Sequence, residues 1–192
     1  MKRLVRASSI VIGLTLTGFG LSGCITINES TSPNSKIMDP NSHHGSMHSM
    51  SITDKKSFAE AMIPHHQQAV DISEFALTNT SNAEVLSMAE KIISEQSPEI
   101  EKMTPWLEGA RADYSMMMDG MLSTSQVEEL RSAKNEEFDQ LYVQYMIQHH
   151  EGAVAMAADA LGIDDPELSK FANEIIVNQS AEIEELMSLL NK

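Results

Sequence analysis

The sequence is short of cysteine, of positive charge and of long apolar runs, and each shortage narrows what the chain can be. Its one cysteine, Cys24, has no partner for a disulfide and belongs to no set of thiolates that could hold a metal cluster. Thirteen Lys and Arg stand against 28 Asp and Glu, giving a formal charge of -15 and a pI near 4.7. Binding to nucleic acid depends on basic residues neutralising phosphates, so nucleic acid is excluded as a partner and cations are favoured over anions. The chain also lacks a Ser or Cys nucleophile paired with a base, a Gly-rich phosphate loop and a charged catalytic dyad. No enzyme activity is therefore expected. With 192 residues, 42% of them hydrophobic, it has room for one compact domain and a tail.

The one sustained apolar stretch near the start runs from Ile10 to Leu21, behind Lys2, Arg3 and Arg6. It is too short for a permanent transmembrane helix and reads as a targeting segment over residues 1–23. The sequence Leu21-Ser22-Gly23-Cys24 that follows resembles the lipobox of bacterial lipoproteins, which implies lipidation at Cys24 and a membrane anchor. That resemblance, with Ile25 after the cysteine, places the protein at the outer membrane facing the periplasm where a cell has one. Otherwise it implies the outer face of the plasma membrane. Loss of the segment takes the formal charge from -15 to -18. Residues 24–52 read as a flexible tether rich in Ser and Asn. Within it, His43, His44, Met47, His48 and Met50 form either an incidental polar linker or a patch suited to metal capture without a fold.

From residue 53 to 192 the pattern is helical and repeats itself. Phe58, Met62, His65, Ala69, Ile72 and Ala76 follow steps of four and three, and Tyr142, Met146, His149, Ala153, Met156 and Ala160 follow the same steps. Such spacing traces one inward stripe on a packed helix. The partner helices repeat too. Leu86, Ala89, Ile93, Gln96, Ile100, Met103 and Leu107 match Ser169, Ala172, Ile176, Gln179, Ile183, Leu186 and Leu190. Asn79 to Asn82 forms one turn; Gly162 with Asp165-Pro166 forms the other. The fold expected is all-α: a four-helix bundle built from two helical hairpins, about 53–109 and 124–192. The first helix of the second hairpin is expected to begin near Thr124 and bend around Asn135.

Measured from those turns, His65, Gln96, His149 and Gln179 stand at about one height, a buried polar layer. One turn away, Met62 and Met146 face the level of Glu99 and Glu182. His66 and His150 lie about 100° around the helix from the core histidines, and each methionine reaches both histidines of its repeat at i+3 and i+4. Met62, His65, His66, Met146, His149 and His150 therefore form a candidate ligand set, with Gln96, Gln179, Glu99 and Glu182 behind it. A di-iron bundle centre requires Glu-x-x-His on its helices. Here a thioether occupies each glutamate position, and thioethers select Cu(I). Copper is the expected ion, as Cu(I) ahead of Cu(II), with Ag(I) competing for the same donors. Pro64, inside the first helix, either widens the first site by kinking the turn or only curves the helix.

The double Met-Ile-x-His-His pattern, the runs Gln96 to Ile100 and Gln179 to Ile183, Trp106-Leu107 and the Met-rich centre resemble the family called domain of unknown function 305. The resemblance implies a ferritin-like four-helix bundle and export. It also implies a role in copper binding and resistance for the Met-x-x-His-His positions. The second copy departs from the first at Gln148, opposite Pro64, and at Leu186, opposite Met103. Met103, Met116, Met117, Met118 and Met121 are further candidate donors, though for the central four a hydrophobic lid over the bundle end is the somewhat better reading, since Met is a common gap-filler. The expected function is copper sequestration, buffering or delivery in the envelope, with copper ions, the membrane and a protein donor or acceptor as partners. A haem b bundle and a purely structural bundle are the alternatives.

Overall fold

The structure, a computed structural model, describes residues 51–115 and 117–190. The targeting segment, Cys24, the tether donors His43, His44, Met47, His48 and Met50, and Met116 all lie outside the described residues. Five α-helices follow in order: α1 (Lys55–Asn79), α2 (Ala83–Met103), α3 (Thr124–Ser132), α4 (Asn135–Ala160) and α5 (Pro166–Leu190), with a 3-10 turn at Thr104–Leu107 after α2. There is no strand among the described residues. None of these helices is long and apolar enough to cross a membrane.

Helix starts are set by short polar side chains that accept the first free amides. Asp54 accepts from the Ser57 N–H at 2.8 Å while the Ser57 hydroxyl takes the Asp54 N–H at 3.1 Å. Asn82 accepts from Glu84 N–H at 3.1 Å, and Asp165 from Glu167 and Leu168 N–H at 3.0 Å each. The α1–α2 and α4–α5 hairpins pack internally, α1 also packs on α4, and α3 lies against both α1 and α4.

The expected bend at Asn135 is instead a break. Ala133 and Lys134 are extended, Asn135 has φ 54°, and α3 and α4 are separate helices. Asn79, at the end of α1, donates through Nδ2 to the carbonyls of Leu130 and Arg131 at 3.4 and 3.0 Å and bonds to the Lys134 ammonium. A side chain that takes the last carbonyls of α3 replaces the partners a continuous helix would have supplied.

The inward stripes of α1 and α4 lie where the sequence puts them, with all twelve residues buried. Those of α2 and α5 are met in part, with Ala89, Gln96, Met103, Leu107, Ala172, Gln179 and Leu186 buried as expected. Val85, Ile92, Leu168, Ile175 and Glu182 are buried, whereas Leu86, Ile93, Ile176 and Ile183 are only partly covered. The core divides into two apolar clusters. Phe58, Met62, Met103, Met118, Ala153, Met156 and Phe171 belong to one; Ile72, Ile92, Phe138, Tyr142, Met146 and Leu186 belong to the other. On all four long helices, the residues between the clusters are the histidines of α1 and α4 and the Gln and Glu side chains of α2 and α5.

Candidate metal centre

The buried polar layer places His65 of α1 against His149 of α4, ring centres 3.8 Å apart and planes 39° apart. Both rings are inaccessible to solvent, as are His66 and His150. His66 and His150 stand 6.5 and 6.4 Å from their neighbours on the same helix and turn toward the partner helix of their own hairpin. There Nε2–H of His66 donates to Oε2 of Glu99 at 2.8 Å, and Nε2–H of His150 donates to Oε2 of Glu182 at 2.8 Å. Nε2–H of His65 donates to the Asp119 carbonyl at 3.2 Å. Carboxylates and carbonyls accept only, so in these three rings Nε2 is the donor, and Nδ1 is the nitrogen left to carry the lone pair of a neutral ring. That is the arrangement of a metal-ligating histidine, whose second nitrogen is held by a carboxylate or a backbone oxygen.

The nitrogens left over have no partner. Nδ1 of His65, His66 and His150, both nitrogens of His149, and the side-chain amides of Gln96 and Gln179 are buried without a hydrogen bond among the described residues. Each such group costs about 1–3 kcal/mol, so a layer built only for structure would satisfy itself. The four side chains that the sequence sets at one height do not satisfy one another's hydrogen bonds. Among the described residues no three His, Cys, Asp or Glu side chains form a metal-holding group by themselves. A complete donor set here needs a thioether or an amide as well.

Met62 and Met146 are fully buried on opposite sides of the layer, one in each apolar cluster. This follows from α1 and α4 running antiparallel, so residues three before each histidine lie on opposite sides. The six candidate ligands thus form two halves, back to back on the His65–His149 pair, and the two sulfurs do not meet. Met103, buried, joins the cluster of Met62. The Met-rich connection divides: Met118 is buried in that cluster, Met121 is partly buried beside it, and Met117 is 47% exposed. Met121 Sδ accepts from Met118 N–H at 3.4 Å. The connection lies on α4, where Gly120 comes against the backbone of Gln148 and His149, and this contact brings the Asp119 carbonyl to His65.

The sequence places Glu99 and Glu182 behind the candidate ligands at the level of the methionines, and the structure supplies their partners, His66 and His150. The signal for this pairing is present in the repeated Gln-x-x-Glu, in which the glutamate is placed one turn from a glutamine already assigned to the layer. Glu182 is the more enclosed of the two, its side chain 1% exposed against 15% for Glu99. Lys91 lies 4.0 Å from Glu182 Oε1 and bonds to Glu185 at 2.8 Å. Replacing Glu182 by alanine strands a buried imidazole and is expected to cost about 2–3 kcal/mol, the value of a hydrogen bond to a charged group. Glu99→Ala, at the solvent edge, is expected to cost less than half as much. Urea midpoints of the two variants check this.

Burial pushes the His65 and His149 imidazoles well below the ordinary value of 6.5, and the neighbouring histidines push the same way. Both rings are neutral in the folded protein at pH 7, the form in which imidazole binds metals. Below pH 6.5 the unfolded chain binds protons at these rings that the native chain refuses, so stability falls as pH is lowered. Each ring adds a slope of up to about 1.4 kcal/mol per pH unit until its folded value is reached. Denaturation of the metal-free protein between pH 7.5 and 5 measures that slope.

A four-helix bundle with a duplicated, fully buried methionine and histidine layer backed by carboxylates defines the class of protein. The family described as domain of unknown function (DUF305) matches residues 55–190, and the chain belongs to that family. Its fold is shared by a DUF305 fragment from Deinococcus radiodurans, 29% identical over 71% of this chain and 95% of that one, with a TM-score of 0.67. A candidate secreted DUF305 protein from Streptomyces coelicolor is 27% identical over 72% and 93%, with a TM-score of 0.66. CopM in its Cu(I)-bound form is 33% identical over 71% and 95%, with a TM-score of 0.61, and the same protein has been solved with Cu(II) and with Ag. No curated protein matches the chain.

Proposed function

We propose that this protein binds copper through its buried histidine and methionine layer and sequesters, buffers or hands over the ion, with no chemistry on an organic substrate. The observation that carries the reading is the set of orphaned imidazole nitrogens in rings whose other nitrogen is already held by an oxygen. The donors would be the imidazoles of His65, His66, His149 and His150 with the thioethers of Met62 and Met146, and Glu99 and Glu182 orient the outer rings. Neutral imidazole accepts both copper oxidation states, and thioether favours Cu(I). The likeness to CopM, solved with Cu(I), Cu(II) and Ag, supports the same choice of ion.

The rivals fit less well. Ring centres 3.8 Å apart leave no space for a haem plane between His65 and His149, and a structural layer would not leave its amides and nitrogens unpaired. We further propose an extracytoplasmic site of action with a lipid anchor at Cys24, on the strength of the Leu-Ser-Gly-Cys sequence and the likeness to the candidate secreted Streptomyces protein. The tether and Met117 would then be exposed donors that exchange copper with a protein donor or acceptor.

The test is a Cu(I) titration under a competing chelator, with thermal melts, on the wild type and on His65→Ala/His149→Ala. A hundredfold excess of free ion over the dissociation constant adds about 2.7 kcal/mol of stability. The wild type is expected to gain it and the double variant to lose it. Equal binding by both proteins would move the site to the tether or the Met-rich connection.

A further inference from the structure

The two halves of the layer are related by the repeat, but they are not equally held. In the first hairpin, Pro64 stands two residues before His66, and Pro98 stands immediately before Glu99. The second hairpin has Gln148 and Ala181 at the corresponding positions. Proline has no N–H, so α1 lacks the bond from residue 64 to Glu60, and α2 lacks the bond from residue 98 to Ser94. Both helices nevertheless run through their prolines as continuous α-helix. The two side chains of the His66–Glu99 pair therefore stand on turns that each lack one backbone bond. The partners of the His150–Glu182 pair stand on turns that lack none.

Solvent access has the same asymmetry. Of the candidate ligands and the Gln and Glu side chains behind them, Glu99 alone reaches water appreciably, at 15%; the others are exposed by 2% or less. Glu182 lies behind Lys91 and its bridge to Glu185. An ion crossing to the layer between the two helices of a hairpin has to separate a histidine from its glutamate. The easier pair to open is the one already at the surface, on helices with fewer bonds to break.

Resting on the copper reading above, we infer that the His66–Glu99 half is the port through which the ion enters and leaves the layer, and that the His150–Glu182 half is the fixed wall. Pro64 and Pro98 are then positioning residues that set the rate of exchange. Glu99, an acidic group at the mouth, draws the cation in, and its bond to the His66 N–H opens for passage and re-forms behind the ion.

Two measurements on the full chain test this. The first, hydrogen exchange of the metal-free protein, does not depend on copper. Amides at 61–69 and 94–101 are expected to exchange about tenfold faster than those at 145–153 and 177–184, the effect of about one hydrogen bond. The second compares the wild type with Pro64→Gln/Pro98→Ala, which gives the first hairpin the residues of the second and removes no donor. Uptake of Cu(I) and its release to a chelator should both slow by about tenfold with the equilibrium affinity unchanged, the same bond appearing in the barrier. Equal exchange in the two hairpins, or unchanged rates in the variant, would overturn the port. A wild type that takes up no Cu(I) at all would overturn the copper reading, and the port with it, even where the exchange asymmetry is found.

Discussion

Gly152→Ala is expected to destabilise the protein by about 3 kcal/mol, where the same substitution in an ordinary helix stabilises by about 0.5–1 kcal/mol. A Cβ at this position would come 2.0 Å from the Asp119 carbonyl oxygen and 2.6 Å from its carbon. Both are backbone atoms, so no flexible side chain can move aside. Gly120 faces it with φ 83°, and a Cβ there would lie 2.7 Å from the Gln148 carbonyl oxygen. Two glycines let the Met-rich connection sit directly on α4, and through that contact Asp119 bonds to His65. The alanine variant must lift the connection, lose that bond and uncover Met118. For a chain of this size the melting temperature should fall by roughly 10 °C. Gly162→Ala is the control. Its nearest atom is 3.9 Å away, and it should be neutral. A Gly152→Ala protein as stable as the wild type would mean that the connection does not rest on α4.

His65→Leu/His149→Leu is expected to have the opposite sign. Leucine fills a similar volume and removes three buried nitrogens that have no partner, at the loss of one bond to Asp119. The metal-free protein should gain about 1–3 kcal/mol, and the copper-dependent gain should vanish. Stability and binding would then move in opposite directions, as they do where a site is kept at the expense of the fold. If the leucine variant were less stable without metal, the imidazole pair would be serving the packing, and the structural reading would return. Urea unfolding with and without Cu(I) under a chelator separates the two.

Much of this is legible in the sequence. The four-three stepping from Phe58 to Ala76 and from Tyr142 to Ala160 specifies two helices and their inward faces, because a helix buries one stripe whatever its neighbours are. Asp165-Pro166 and the Asn79–Asn82 turn specify the hairpins, because capping is a local exchange of hydrogen bonds. In α2 and α5 half of the expected stripe is buried, Ala89, Gln96, Met103, Ala172, Gln179 and Leu186 among it, while at the remaining positions a neighbouring residue faces the core instead. In both helices an isoleucine occupies each of the competing positions, Ile92 and Ile93, Ile175 and Ile176, and hydrophobicity alone cannot choose between them. On α5 the observed choice also turns Glu182 inward, where it accepts from His150.

The sequence by itself therefore determined the class of fold, the repeat and the chemical types of the candidate donors, all of which are read from the local pattern of each helix. Tertiary structure alone decided that the His65 and His149 rings meet at a tilt, that His66 and His150 turn away to glutamates, and that the two thioethers fall on opposite sides of the layer. It also decided that α3 ends where Asn79 takes its carbonyls. The physical reason is one and the same. Each of these is a contact between groups on different helices, and its geometry is set by how the helices pack within and between the hairpins, which no local pattern encodes.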